Sequence, residues 1–395
     1  MCGNAGSLEA LVIWRIIQGL GGGALLSTSQ AILYEEFPRE EYGTAMAIFG
    51  VGVMVGPTLG PTVGGWITDM YGWPWIFYIN IPFGMLALAL TLSFINDSEH
   101  QERVTKVDVV GLALLAVGIG ALQTMLERGE RLDWFESGQV RLLALTSAAS
   151  LIAFIWHELR TAHPVVDLRI LKSRQLAVGV VYGLVLGVCL YATVFVLPVY
   201  LQNVQNFTAN QTGLVILPGA LASAFTMAFM GRLQGKFDAR LSIAAGVGIF
   251  AYSMWKHAHF TTQSGFHDFF WPLIFRGVGL GLIFVPLTNL ALADLPMSKI
   301  PNGTGLFNLM RQLGGSVGIA LSATLLQRFT AIHRPELAAN VTPFAEATRE
   351  RIAMITQALV GPGEVPAMAQ TKAIGFLNGI VTKQAMMMSF EQLFL

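Results

Sequence analysis

Three arginines stand inside apolar stretches: Arg15 in LVIWRIIQGLGGG, Arg276 at the head of RGVGLGL, and Arg311 in GLFNLMRQLGGSVG. A guanidinium keeps its charge and carries five donors, so within a membrane helix it turns toward the bundle interior or a watery cavity and marks a functional position. The competing reading is mechanical, since near a helix end the side chain snorkels to the interface and anchors the helix. Arg15 lies about one or two helical turns into its apolar run, which favours the interior. Arg276 lies close to the start of its run and is expected as an interfacial anchor. Arg311 is deeper, with helix–helix pairing and a place on a path through the bundle both open. Asp69 and Asp294 fall at the ends of apolar runs, where a solvated cap is the expectation. Asn308, Tyr191, Phe195 and Phe284 are candidates for lining a path through the bundle, and the aromatic ones with Phe225 and Phe307 for lining an apolar pocket, although aromatic residues on such helices mostly serve packing.

Other chemistries are poorly served. His157-Glu158 begins like HExxH, but position 161 is Thr and the second zinc ligand is absent. Glu35-Glu36 has no spaced histidines to accompany it. The chain has no GxxxxGK[ST] phosphate loop, and its one GxSxG string, Gly314 to Gly318, sits inside an apolar run instead of at a strand-to-helix elbow, which argues against an enzyme and an ATP-driven pump. Cys2 and Cys189 give neither a disulfide framework nor metal spacing, so no metal and no cofactor is expected. A formal net charge of zero leaves no basic excess for nucleic acid. No pore ring or filter sequence suggests a channel.

The composition is that of an all-α polytopic membrane bundle, with 54% hydrophobic and 12% charged residues. The opening MCGNAGSLEA lacks a basic n-region, and no cleavable signal is expected. Apolar stretches of bilayer length are read near 8–33, 44–67, 75–95, 109–126, 140–156, 176–201, 213–230, 241–255, 270–293 and 305–326. An eleventh begins near Phe376, making ten full spans and a partial last one. With the first loop cytoplasmic, one set of loops carries Arg39, Arg103, Lys106, Arg160, Arg169, Lys172, Arg174, Arg232, Lys236, Arg240 and Lys299. The other set carries Arg128, Arg131, Arg141 and Lys256, and this bias supports the assignment. The polar segment 327–372 then lies outside, with 344–360 as an amphipathic surface helix. An internal repeat is visible too. Gly19 to Pro38 and Gly277 to Pro296 are runs of equal length, each followed by a glycine-rich helix, as in transporters built from parallel repeats.

The first of those glycine-rich helices contains AIFGVGVMVGPTLGPTVGG. Gly52, Gly56, Gly60 and Gly64 recur at four-residue spacing and lay a close-approach face along a helix, so tight packing is expected there. Gly56, Gly60-Pro61 and Gly64-Gly65 give GxxxGPxxGG, which resembles the antiporter motif on the fifth helix of proton-coupled drug exporters of the major facilitator superfamily. Leu11, Arg15, Gln18 and Gly19 give LxxxRxxQG, similar to the fourth-helix motif of the same superfamily. ITDMYGWPWIFYINIPFG, LERGERLDWFESGQ, HPVVDLRILKSRQ and GTGLFNLMRQLGGSVG resemble the fourteen-helix EmrB/QacA branch, with the EmrB side fitting better.

That resemblance implies the major facilitator fold and alternating access, with hydrophobic or cationic small molecules exported against protons. Arg15, Gln18 and Gly19 would belong to proton coupling. The same fold with a siderophore, fatty acid or other metabolite as cargo is the alternative. It further implies a multi-pass inner-membrane location, a periplasmic adaptor (membrane fusion protein) and an outer-membrane channel. Aligned this way, 1–96 holds family helices four to six, 97–174 two inserted helices with connectors, and 175–395 the C-terminal half with external loop 327–375 and a truncated last helix. Family helices one to three, the first-helix acid implicated in proton binding, and most of the last helix would be absent. Gly56, Gly60 and Gly64 would then face lipid, and the chain as written is expected not to transport.

Overall fold

The computed structural model describes residues 1–23, 25–95, 108–162, 164–233, 238–359 and 366–395. Fourteen α-helices occur among the described residues: α1 Leu8–Gly22, α2 Leu25–Glu36, α3 Tyr42–Tyr71, α4 Trp75–Tyr78, α5 Asn80–Phe94, α6 Val109–Gly129 and α7 Gly138–Arg160, followed by α8 Arg174–Asn203, α9 Ala209–Leu233, α10 Ala239–His257, α11 Phe266–Leu292, α12 Ile300–Ala339, α13 Glu346–Leu359 and α14 Pro366–Phe394. Taken as α1–α2, α3, α4–α5, α6 to α12 and α14, they correspond one to one with the eleven segments read from the sequence. Eight stretches of helix among the described residues are long and apolar enough to cross a bilayer. Arg103, Lys106 and Lys236 of the orientation argument lie outside the described residues, as do the side chains of Arg39, Pro57 and Pro61.

Four of the helices begin where a short polar side chain takes up an orphan backbone donor. Ser7 accepts from the N–H of Ala10, Asp108 from Gly111, Ser173 from Leu176 and Asp238 from Arg240. Asp108 stands just before α6, and its carboxyl is held below the usual carboxylate range by the Gly111 N–H first and by His157 at 2.8 Å as well.

Without a hydrophobic driving force between helices in lipid, close approach at small residues decides which helices pair. On α8, Gly179, Gly183 and Gly187 abut Ala291, the Phe307 ring and the Arg311 carbonyl. From α12, Gly314 meets the Leu184 carbonyl in return. Gly219 of α9 lies against α11 at Leu273 and Gly277, while Gly246 of α10 lies against α11 at Gly279. The α8–α12 and α9–α10–α11 contacts so formed make the larger lobe. On the other side α3 crosses α9 where Gly231 sits over the Gly43 carbonyl and Ala47. The α6–α7 hairpin docks on α12, with Ser316 donating to Gln123 at 2.6 Å and Trp134 donating to Thr324 at 3.1 Å.

Two apolar clusters result. One joins α2 and α3 to α8, α9, α11 and α12 around Tyr34, Met46, Met227, Phe284 and Phe307. The other holds the opposite ends of α8, α9 and α11 to α14 around Tyr200, Phe269 and Phe390.

Two expectations need correction. The segment 327–372 is largely helical, because α12 continues to Ala339 and α14 begins at Pro366 instead of near Phe376. At 40 residues α12 is roughly 60 Å long, about twice the hydrocarbon thickness, and its outer turns are held by α14. There Thr330 donates to Ser389 at 3.1 Å and Arg334 to Asn378 at 3.1 Å. The surface helix expected at 344–360 is α13. The second correction concerns the glycine run. Apart from the helix's own backbone, no atom of the described residues comes within 4 Å of a Cβ placed at Gly52, Gly56 or Gly60, and among the described residues the tight packing falls at the edges, Gly50 against Phe284 and Gly65 against Ala209. The open faces of Gly56 and Gly60 match the second expectation for this stretch, while Gly64 is partly covered and meets Ile76.

Candidate transport site

The seam between the α2–α3 side and the larger lobe carries buried polar side chains, each placed by a helix that is otherwise apolar. Arg311 is wholly buried on α12 and donates from Nη2 to Asn308 Oδ1 at 3.0 Å. Asn308 spends its own amide N–H on Gln30 Oε1 of α2 at 2.7 Å, and Gln30 donates to Met46 Sδ of α3 at 3.5 Å. The guanidinium carbon lies 5.7 Å over the Phe284 ring, which supplies cation–π attraction. Its Nε and Nη1 have no hydrogen-bond partner among the described residues. Nearer the loop end of the seam, Tyr34 donates to Asn289 at 2.7 Å and Tyr42 to Met297 Sδ at 3.4 Å.

A second polar point lies between α3, α8, α9 and α11. A cavity of about 20 Å³, room for about one water, is bordered by Val53, Tyr191, Thr193, Ser223 and Arg276. Arg276 is 6% exposed, so it is no interfacial anchor: α11 starts ten residues earlier than Arg276, at Phe266, and carries the side chain well into the bundle. Arg276 Nε and Ser223 Oγ both lack partners among the described residues. A buried donor left unmade costs about 1–3 kcal/mol and more when charged, so two guanidiniums with spare donors at one seam signal a site for an acceptor.

The other sequence candidates fall elsewhere. Arg15 is exposed on α1, donates to Gln18 Oε1 at 3.4 Å and lies 4.8 Å over the Phe77 ring. Gln18 also accepts from Cys2 Sγ, and Gly19 has open space around it. Gly56, Gly60, Gly64 and Gly65 lie on α3, where Pro61 continues the helix without donating. The structure therefore brings together Arg311, Asn308 and Phe284 in one place and Tyr191 with Arg276 in another. Phe195 is half-buried against the α14 cluster, and Phe225 is exposed on the outer face of α9, off the seam. Gln30, Tyr34 and Asn289 escaped the reading of the sequence. Their signal was present, because an amide or phenol inside an apolar helix needs a partner helix to bond with.

Residues 1–319 match the sequence profile of the Major Facilitator Superfamily. The chain is 34% identical over its whole length to the fatty acid resistance protein FarB of Neisseria gonorrhoeae, covering 76% of that protein. It is 31% identical to the multidrug export protein EmrB of Haemophilus influenzae and 32% identical to that of Escherichia coli, again over the whole chain and covering 76% and 75% of them. The colistin resistance protein EmrB of Acinetobacter baumannii is 30% identical over the same extent. An all-helical bundle with two buried arginines at the seam of its halves and these relatives along its full length identifies the chain as a member of the Major Facilitator Superfamily.

Proposed function

We propose that the chain is a proton-coupled multidrug efflux transporter that moves hydrophobic compounds out of the cell by alternating access. What carries this reading is whole-chain similarity to multidrug export proteins, together with Arg276 and Arg311 buried with spare donors between the halves. On this reading the Gln30–Asn308 and Tyr34–Asn289 contacts hold the seam shut at the loop end of α2, α11 and α12. Opening that end exchanges them for water or substrate. Arg15 with Gln18 and Gly19 couples protonation to the exchange, and the GxxxGPxxGG face of α3 packs a partner helix. Tyr191 borders the path with Arg276, and Phe195 and Phe284 flank it. The domain division at residues 96 and 174, the inner-membrane location, and a periplasmic adaptor with an outer-membrane channel as partners belong to the same proposal.

A second cargo is favoured by one observation. Two buried guanidiniums attract an anionic amphiphile better than a cationic drug, and one relative is named for fatty acid resistance. The test is efflux in a drug-sensitive, efflux-deficient strain, using a version of the chain extended to the length of its relatives. Proton-dependent export is expected, abolished by Arg15→Ala while the protein stays in the membrane. Unchanged export in that variant removes Arg15 from the mechanism. Fatty acids outcompeting cationic dyes identifies the second cargo.

A further inference from the structure

One cavity plays no part in the seam. It is a groove of about 880 Å³ on the outer side of the larger lobe, formed by the first turns of α8 and α10 and the last turn of α11. Tyr182, Val247, Ile243 and Leu287 make its walls, and Tyr182 and Val247 are each about half exposed. Arg174 and Arg240 stand at the mouth, both exposed, one opening α8 and the other opening α10, with Gln175 beside them. Neither guanidinium forms an ion pair with an acid among the described residues. Asp238, two residues before Arg240, spends one carboxylate oxygen on the Arg240 backbone N–H.

The groove thus has an apolar trough running along membrane helices and two fixed positive charges at the level where those helices leave the bilayer. Its volume is that of a site for one amphiphile. The end that carries it also carries most of the loop arginines and lysines, which the charge bias assigns to the cytoplasm, where the leaflet is rich in anionic lipid. We propose that this groove binds an anionic phospholipid of the cytoplasmic leaflet, its phosphate held between Arg174 and Arg240 and an acyl chain laid against Tyr182, Val247 and Leu287. A cationic drug is disfavoured by the charges at the mouth, and a soluble phosphate compound leaves the apolar trough unfilled.

Native mass spectrometry of the purified chain in an equimolar mixture of phosphatidylglycerol and phosphatidylcholine tests this. Each arginine near the surface is worth about fivefold, so the pair gives about 25-fold preference for the anionic lipid. Arg174→Gln with Arg240→Gln should bring bound lipid to the bulk ratio, whereas Lys at both positions should keep most of the preference. Ala244→Trp, which fills the trough and leaves the charges in place, should displace the lipid altogether. Equal binding of the two lipids by the parent chain overturns the proposal, as does selection that survives the double Gln substitution. A dimer carrying no lipid also overturns it, by assigning the groove to a second copy.

Discussion

Glycine spacing is the same in two parts of this chain and the packing differs, which makes a sharp comparison. A methyl group at Gly187 would run into the Arg311 carbonyl oxygen and lie 2.9 Å from its carbon and 3.1 Å from the Gly315 nitrogen. Ordinary contact needs about 3.4 Å or more, and backbone cannot rotate out of the way, so α8 and α12 must move apart by about 1 Å. A gap of that size forfeits a quarter to a half of the attraction at each neighbouring contact. Overpacking of this sort costs about 1–3 kcal/mol. Gly60→Ala meets nothing within 4 Å and instead removes a poor helix former, a gain of up to about 1 kcal/mol. Both variants are compared with the parent in mild detergent by thermal unfolding, followed by the accessibility of Cys189, which is half-buried on α8. Gly187→Ala should unfold at lower temperature and expose Cys189 earlier, while Gly60→Ala should match or exceed the parent. Equal destabilisation by the two would refute the argument, since it would mean that Gly60 is already covered.

Asn308→Ala should cost about 1–2 kcal/mol, the upper part of the range for interhelical hydrogen bonds in membranes, because it strips a charged donor of its partner. The double variant with Gln30→Ala should be less than additive in unfolding assays. Arg276→Met replaces a buried guanidinium by an apolar chain of similar length and should leave thermal stability level or raised. In the extended version the same change should abolish export, and a fall in stability would show that Nε has a partner after all. Asp108→Ala removes the cap of α6 and should lower the unfolding temperature at neutral pH. Because the folded carboxyl titrates below its ordinary value, that contribution is complete above about pH 4, where the unfolded carboxyl is ionised, and is lost as pH falls from there through the lower value of the folded group, so parent and variant should converge in acid.

The spans were legible because hydropathy over a bilayer's width is a property of each segment alone, and α6 to α9 match their reading to within a few residues at either end. What was lost depends on neighbours. The outer turns of α12, from Gln327 to Ala339, are polar enough to read as loop, yet they hold helical form against α14 through Thr330 and Arg334. Arg276 read as an anchor because the apolar run was taken to start near Phe270, with Phe266 to Phe269 counted outside it; the helix begins there and carries the arginine inward. Gln30 and Asn289 are neutral amides, and no pattern in a single sequence names the partner of an amide 200 or more residues away; Gln30 and Asn308 are separated by 278 positions.

The glycine motif shows the same limit from the other side. In the register that sets Gly19 against Gly277 and Pro38 against Pro296, Gly56 and Gly60 fall against Gly314 and Gly318. On α12 that pair is buried under Leu184 and Val188 of α8, while on α3 the equivalent pair lies open. Four-residue spacing of glycine therefore tells that a helix can approach, since no Cβ stands in its way, but whether one does is decided by what lies alongside. The covered pair gives the measure of the open one: a helix docking on α3 as α8 docks on α12 would bring its carbonyls against Gly56 and Gly60. Alanine at either position, harmless in this chain, would then become as costly as alanine at Gly314. A version of the chain extended to its relatives' length that still tolerates Gly56→Ala without loss of stability or export would break the equivalence of the two halves.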